Sequence, residues 1–324
     1  NAASFYRGAL AERIVAFLNG AGGHLAVSDL ANYEVDWVEP ISVNYRGFDV
    51  WEIPPNGHGL VALIALNLLK GFDFAERDTV LTYHRQIEAI KLAFADGLAH
   101  IAEPGHMRVS VADLLSNAYA DERRKHIGDS AGRPLPGTPP AGGTVYLSTA
   151  DAEGNMVSFI QSNYMGFGSG MVVPGTGIGL HNRGHNFSLN PDHPNCIAPG
   201  KRPYHTIIPG FLTRDGAPVG PFGVMGGFMQ PQGHVQMVMN TVDFHLNPQA
   251  SLDAPRWEWD SGLGVNIEST TGEHLFRGLA ARGHDVKWQN NRLAFGRGEI
   301  IWRNAAGVLC GGTEPRTDGA VAAW

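Results

Sequence analysis

The chain has 324 residues, of which 43% are hydrophobic and 17% charged, and its formal net charge is −7. This composition is typical of a globular protein with a sizeable core, built as one large domain or two ordinary ones. The mild negative charge gives no reason to expect a nucleic-acid partner, which usually requires a basic patch. The best apolar run, Leu60 to Leu69, is about half the length that spans a bilayer.

The chain begins without an initiator methionine and lacks the charged-then-apolar layout of a signal peptide. It runs at once into a helical pattern, so we expect that a preceding segment belongs to the complete protein. The compartment therefore stays open. Cys196 and Cys310 could form at most one disulfide, and two free thiols are the simpler interpretation.

The first part of the chain predicts mainly helices. Apolar spacing indicates helices over 5–18, 60–69, 111–126 and from a cap near Asp78 through Ile101, with a short helix capped at Ser28. Two strands, 41–45 and 48–53, are joined at Arg46-Gly47. At 129–143 Pro and Gly become too dense for a helix or a central strand, which predicts an exposed linker.

Beyond the linker the pattern changes to strands. Alternation predicts a hairpin of 144–150 and 156–161 around the turn at 151–154. Further strands are predicted at 222–225, 265–267, 293–295 and 299–303, and helices at 233–244 and 273–281. Helices followed by strands mixed with helices indicate an α+β architecture.

A candidate nucleophile stands where the linker ends. In Gly142-Gly143-Thr144, the Thr occupies the first position of a predicted strand. Because Gly143 has no side chain, the peptide bond between Gly143 and Thr144 is accessible to a hydroxyl. Attack of the Thr144 hydroxyl on the Gly143 carbonyl would convert the amide into an ester, and hydrolysis would free the Thr144 α-amine. That amine can serve as the general base for its own hydroxyl. Taken alone, a Thr that opens a strand is usually structural.

Several spaced motifs add to this signal. They are Asp151-Ala-Glu-Gly-Asn-Met-Val-Ser-Phe-Ile-Gln-Ser-Asn-Tyr-Met-Gly-Phe-Gly-Ser-Gly170, Pro174-Gly-Thr-Gly-Ile-Gly, Leu180-His-Asn-Arg-Gly-His-Asn-Phe, Pro199-Gly-Lys-Arg-Pro-Tyr-His-Thr, Gly226-Gly227 and Glu314-Pro-Arg-Thr-Asp-Gly. In this order the second half of the chain resembles the small catalytic subunit of gamma-glutamyltransferases. Upstream, Phe5-Tyr-Arg-Gly, Tyr45-Arg-Gly-Phe and Pro54-Pro-Asn-Gly resemble the second half of that family's large subunit.

The resemblance implies an N-terminal-nucleophile hydrolase fold, a four-layer αββα sandwich of two stacked sheets flanked by helices. Residues 1–143 would be the C-terminal part of the large subunit, and 144–324 the small subunit. Cleavage would occur between Gly143 and Thr144. By position, Thr144 falls on the nucleophile and Ser162 on the hydroxyl that orients it. Without the resemblance, Ser162 would be an ordinary polar residue at a strand end.

The resemblance also assigns the oxyanion hole and the partners. Gly226 and Gly227 fall on the pair whose backbone N–H groups form that hole, although otherwise they would be an ordinary turn. The implied partners are a small-molecule γ-glutamyl or glutaryl amide and the N-terminal segment of the large subunit. The assembly would be a heterodimer of processed fragments, or a dimer of such heterodimers. No metal or cofactor is implied.

The substrate-binding positions depart from the family pattern. Where the typical enzyme holds the donor's amino group with an amide and a carboxylate, this chain has Arg183 and Asn186. The carboxylate-binding Ser pair is matched by His205 and Thr206. The carboxylate-binding Asn falls near Asn163, with Tyr164 at the strict position.

A guanidinium repels an ammonium, so these departures suit an acyl group with a carboxylate and without a free amine. They are closest to the glutaryl-cephalosporin acylase-like branch. A surface or ion-paired Arg183 is the competing interpretation of that residue. For the whole chain, the competing interpretations are an unprocessed, non-catalytic binding relative and a fragment inactive without its N-terminal segment.

Overall fold

The computed structural model describes residues 2–134 and 143–324, so most of the predicted linker lies outside the described residues. The helices are α1 (Ala3–Arg7), α2 (Ala9–Gly20), α3 (Val27–Ala31), α4 (Gly59–Leu69), α5 (Val80–His100), α6 (Val111–Leu114), α7 (Asn117–Arg124), α8 (Met229–Val242), α9 (Pro248–Asp253) and α10 (Glu273–Ala281). The strands are β1 (Ile41–Tyr45), β2 (Phe48–Glu52), β3 (Gly143–Ala150), β4 (Met156–Tyr164), β5 (Val172–Val173), β6 (Ile178–Gly179), β7 (Gly210–Arg214), β8 (Ala217–Met225), β9 (Trp257–Trp259), β10 (Gly264–Glu268), β11 (Asp285–Gln289), β12 (Arg297–Arg303) and β13 (Leu309–Thr313).

The core forms around α4, whose residues are all buried. A helix that is apolar all round belongs in the interior, and α4 packs against α5, α8 and β1. The 21-residue α5 begins after Thr79, whose hydroxyl accepts a hydrogen bond of 3.1 Å from the Thr82 N–H. This cap lies one residue after the predicted Asp78.

A six-stranded antiparallel sheet lies against these helices in the order β1-β2-β7-β8-β12-β13. Successive side chains of β8 point to opposite faces. Val224 packs beneath Gly233 of α8, whereas Gly223 lies under the ring of Tyr146 from β3. The sheet is therefore enclosed between a helical layer and the β3–β4 hairpin.

The hairpin confirms the predicted alternation, but its burial is the reverse of its hydrophobicity. Thr144 and Tyr146 are 5% and 7% exposed and face the six-stranded sheet. Val145 and Leu147 point outward and are exposed, and so are Val157 and Phe159 on β4. The outer face of the hairpin is consequently an apolar surface.

Two smaller sheets complete the fold: β9, β10 and β11 form one, and β5 pairs with β6. The predicted α+β sandwich is confirmed, and so are the free thiols of Cys196 and Cys310. Among the described residues, no helix combines the length and the apolar character needed to cross a bilayer.

Some predicted elements were wrong in detail. The first helix divides at Gly8, and Ser28 lies inside α3 rather than at its cap. The helix predicted at 111–126 is two short helices, because the Ser116 hydroxyl accepts from the Tyr119 N–H at 3.2 Å and starts a new one. The strand predicted at 293–295 is a 3₁₀ turn, Arg292–Phe295, which the Asn291 side chain caps at 3.2 Å.

Candidate active site

Thr144 lies at an irregular point of the β3–β4 pairing. Gly143 pairs with Tyr164, but Val145 pairs with Gln161, so the register shifts at Thr144. Tyr164 has a φ of 79°, which bulky residues rarely adopt and which the surrounding structure must hold in place. The backbone is thus distorted at the position that the sequence marks as the nucleophile.

The hydroxyl of Thr144 has a defined partner. Thr144 Oγ1 donates to Ser162 Oγ at 3.1 Å, and the Tyr164 N–H donates to the same oxygen at 2.8 Å. Because Ser162 Oγ accepts both bonds, it draws the Thr144 proton away from the lone pairs that would attack a carbonyl. Ser162 is thus in contact with the hydroxyl that it is predicted to orient.

A cavity of about 440 Å³ opens beside this hydroxyl. It is lined by Thr144, Val145, Gln161, Ser162, Asn163, Gly166, Met225 and Arg297. The volume lies within the range that holds a small molecule.

The Gly226-Gly227 pair lies at the edge of this site, between β8 and α8. Tyr146 packs over Gly223. Thr144, two residues before Tyr146, and Met225, two residues after Gly223, line the same cavity. The pair follows Met225 directly. Gly226 has a φ of 138°, and a Cβ there would lie 3.1 Å from the Gly296 Cα, so only glycine suits the position.

The carbonyl groups of Gly226 and Gly227 accept from the N–H groups of Met229 and Gln230, both at 3.1 Å. These bonds form the first turn of α8. The positive end of the helix dipole is therefore directed toward the site, where it favours developing negative charge.

The remaining predicted residues form a layer around Tyr164 in which Arg183 and Thr206 are buried and Asn186 and His205 are partly buried. Arg183 is 4% exposed, its Cζ lies 5.0 Å from the centroid of the Tyr164 ring, and its Nη1 donates to Thr206 Oγ1 at 2.8 Å. Asn186 Nδ2 donates to the Tyr204 carbonyl at 2.9 Å. The structure thus brings Thr144, Ser162 and Asn163 into one cavity and places Arg183, Asn186 and Thr206 behind Tyr164, with His205 next to them in the chain.

This layer is electropositive. Within residues 2–134 and 143–324, no carboxylate pairs with Arg183, and its Nη2 is buried without a hydrogen-bond partner. Burial lowers the pKa of Arg183 to about 10. Burial, with Arg183 and His181 nearby, lowers the pKa of His205 to about 3, so that imidazole is neutral. The surface and ion-paired interpretations of Arg183 are both wrong for the described structure.

Sequence reasoning missed Arg297, the first residue of β12. Its register partner on β8 is Met225, which places it in the lining of the Thr144 cavity. A lone Arg after a Gly-rich turn gives no sequence signal. Only the pairing of β12 with β8 could have identified it.

One cluster has the donor atoms of a metal site, namely His84, Glu88 and His284. These atoms already have partners, because His84 Nδ1 lies 2.8 Å from His284 Nε2 and the Lys91 ammonium donates to Glu88 at 2.7 Å. Glu88 also accepts from the Gly132 N–H at 3.0 Å. The cluster therefore holds the chain where it enters the linker.

Comparisons with known proteins place the chain in a family. The gamma-glutamyltranspeptidase family model matches residues 1–324. A glutathione hydrolase-like YwrD proenzyme from Bacillus subtilis (strain 168) is 35% identical over 325 residues, covering 98% of this chain and 62% of the relative. An oxamate amidohydrolase proenzyme from Klebsiella pneumoniae is 35% identical over 327 residues, covering 99% of this chain and 62% of the relative.

A solved structure gives the same result. The crystal structure of a cephalosporin acylase from Bacillus halodurans is 64% identical with a TM-score of 0.96, covering 99% of this chain and 60% of that chain. The chain thus spans about three fifths of the length of these relatives. On this evidence the chain belongs to the gamma-glutamyltranspeptidase family and has the fold of its acylase-like members.

Proposed function

We propose that this protein is a self-cleaving amide-bond hydrolase or acyltransferase with Thr144 as its nucleophile. The observation that carries the proposal is the hydroxyl of Thr144, which donates to Ser162 at 3.1 Å on the wall of a cavity of about 440 Å³. Family membership supports it, and so do the names of two relatives, a glutathione hydrolase-like proenzyme and an oxamate amidohydrolase proenzyme.

The first reaction is the scission of the chain itself. Thr144 Oγ1 forms a bond to the Gly143 carbonyl carbon, the bond to the Thr144 nitrogen breaks, and that nitrogen takes the hydroxyl proton. Water then hydrolyses the ester, leaving a Gly143 carboxylate and a free Thr144 hydroxyl and amine. Residues 1–143 and 144–324 become two subunits of one domain.

Catalysis then uses the same hydroxyl. The Thr144 amine takes its proton, the oxygen attacks the substrate amide, and the leaving amine departs with a proton. The acyl group on Thr144 passes to water or to an amine acceptor. The N–H groups of Gly226 and Gly227 stabilise the oxyanion, and such donors contribute roughly 3–4 kcal/mol each to lowering the barrier.

The acyl donor carries a carboxylate and no free amine. Arg183 and Asn186 occupy the positions that hold an ammonium in the typical family member, and Arg183 is buried with no counter-ion among the described residues. A guanidinium there disfavours a γ-glutamyl ammonium. Of the other predicted substrate-binding residues, Asn163 lines the cavity, and Tyr164, His205 and Thr206 belong to the layer that contains Arg183. Glutaryl-type amides are therefore better substrates than glutathione.

An N-terminal segment of the large subunit completes the enzyme. The chain spans 60–62% of the relatives' length. The outer face of the β3–β4 hairpin exposes Val145, Leu147, Val157 and Phe159, an apolar surface that a further layer of the sandwich would cover. An inactive purified 1–324 chain that gains activity when the segment is added would support this assignment.

Intact-mass measurement tests the enzymatic proposal. The purified complete protein should yield fragments that end at Gly143 and begin at Thr144. Thr144→Ala should remain uncut, whereas Thr149→Ala, an exposed position on the same strand, should be cut like wild type. A wild-type chain that stays intact after prolonged incubation would favour the unprocessed binding relative instead.

Turnover of γ-glutamyl and glutaryl anilides tests the substrate. The processed protein should prefer the glutaryl compound. A clear preference for the γ-glutamyl compound, with efficient transfer to a dipeptide, would contradict this part of the proposal.

A further inference from the structure

Arg297 is a cation beside the nucleophile that the proposed reaction has not yet used. It follows Gly296, whose φ of 74° turns the chain into β12, and it lies opposite Met225 on β8. It lines the same cavity as Thr144 and Ser162. Its side chain therefore reaches the space where an acyl group must lie during attack.

Arg297 has no counter-charge among the described residues. It is the only formally charged residue in the described lining of the cavity, and no ion pair to it occurs within residues 2–134 and 143–324. Its Nε is buried without a hydrogen-bond partner in the same part of the chain. A guanidinium in the lining of a cavity is suited to an anion that enters it.

Two carboxylates near the start of β12 already have arginine partners. Glu314 pairs with Arg256 at 2.7 Å, and Glu268 pairs with Arg316 at 2.6 Å. Arg256 also donates to the carbonyl of Gly296, directly before Arg297, at 3.1 Å. These bonds fix the start of β12 and leave the guanidinium of Arg297 to the cavity.

We propose that Arg297 binds the carboxylate of the acyl donor and so determines the specificity for dicarboxylic monoamides. Its planar fork can donate two parallel hydrogen bonds to a carboxylate. Arg183 has a different part, because it lies behind the Tyr164 ring, donates to Thr206 and is outside the cavity lining. Arg183 selects against an ammonium, and Arg297 selects for a carboxylate. This inference rests on the proposed function.

Two substrates that differ only in charge test it. Glutaryl anilide ends in a carboxylate, and glutaramoyl anilide ends in a neutral amide of nearly the same shape. Hydrogen bonds to charged groups contribute about 1.5–3 kcal/mol, or roughly 10- to 100-fold. Arg297→Gln should lower kcat/KM for the glutaryl compound by about that factor, mainly through KM, and change the glutaramoyl value less than about threefold.

Two further variants sharpen the result. Arg297→Lys should keep part of the preference for the carboxylate, since it retains the charge and loses the fork. Arg183→Gln is the matched control. It should leave the glutaryl-to-glutaramoyl ratio nearly unchanged but raise turnover of the γ-glutamyl anilide relative to the glutaryl anilide by about tenfold. Intact mass and melting temperature of each variant verify processing and folding.

Several outcomes would overturn the inference. One is a processed Arg297→Gln protein with the wild-type ratio. Another is an equal loss on both substrates, which would indicate a structural role. A third is a carboxylate preference that disappears in Arg183→Gln instead. In each case the nucleophile assignment stands, because different results contradict it, such as an uncut wild-type chain or an active Thr144→Ala protein.

Discussion

Arg316 and Arg183 are both buried, at 6% and 4% exposure, but their surroundings differ. Arg316 donates to Glu268 and to Glu314 at 2.6 Å each, within a network that also contains Arg256. Arg183 has a hydroxyl and an aromatic face as neighbours, and no carboxylate pairs with it in the described part of the chain.

The difference separates structural charges from functional ones. Glu314 also accepts from the Gly298 N–H at 2.8 Å, so the network ties the C-terminal motif to β12. Each arginine and glutamate of this network forms an ion pair within it, so the network requires no ligand to balance its charges. An unpaired buried guanidinium is costly to fold, and its position next to a cavity with a nucleophile gives a reason for it.

The largest effect on the free energy of unfolding is expected from substitution of Arg316, the arginine with carboxylate partners. Arg316→Met should lower the free energy of unfolding by about 3–5 kcal/mol, because it leaves Glu268 and Glu314 buried with too few partners. Urea denaturation monitored by circular dichroism measures the change. The exposed pair Arg277–Glu273 provides the control, and Arg277→Met should cost less than about 1 kcal/mol. Equal losses of unfolding free energy for Arg316→Met and Arg277→Met would contradict the assignment of Arg316 to a structural ion-pair network.

An intermediate effect on the free energy of unfolding is expected from His284, a buried imidazole that is neutral in the folded protein. Burial, with Lys91 and His84 nearby, lowers the pKa of His284 to about 3. The folded pKa lies below the unfolded value of about 6.5, so the unfolded chain binds the proton first. This contribution to stability is complete above about pH 6.5 and is lost as the pH falls toward 3.

The measurement compares the free energy of unfolding at pH 7 and pH 5. When the pH falls from 7 to 5, the free energy of unfolding of His284→Gln should decrease by about 2 kcal/mol less than that of wild type. His106→Gln, at an exposed position, should behave like wild type. An unchanged acid sensitivity in the His284 variant would show that this imidazole is not held neutral.

The smallest effect on the free energy of unfolding is expected from substitution of Arg183, which has no carboxylate partner among the described residues. Arg183→Met should leave the free energy of unfolding within about 1 kcal/mol of wild type, or raise it, since no charged partner is left behind. Urea denaturation alongside Arg316→Met gives the direct comparison. A loss as large as that of Arg316→Met would mean that Arg183 has a counter-ion and would remove the distinction between the two regions.

The sequence predicted the parts of the site that depend on local pattern. Alternation after Gly143 identified the hairpin, and the spaced motifs predicted a site at Thr144, Ser162 and the Gly226-Gly227 pair. Which face of the hairpin is buried did not follow, because Val145 and Leu147 would ordinarily point inward. Packing of Tyr146 over Gly223 decides the face, and that contact joins distant parts of the chain.

Other features also did not follow from the sequence pattern. Arg297 enters the cavity through strand pairing between β12 and β8, for which no short-range pattern exists. The 3₁₀ turn Arg292–Phe295 has the apolar residues of a strand, but side-chain capping by Asn291 decided its structure. Whether Arg183 forms an ion pair depends on where the carboxylates of all neighbouring elements lie, and only the folded structure gives those positions.

The central claim is that one hydroxyl, that of Thr144, forms the covalent bond to the substrate. The most direct measurement is peptide mass mapping after the processed protein is quenched during turnover of glutaryl anilide. We predict one added glutaryl group on the peptide that begins with Thr144, lost again on longer incubation. Turnover without any acylated peptide, or a glutaryl group on another residue, would contradict the account.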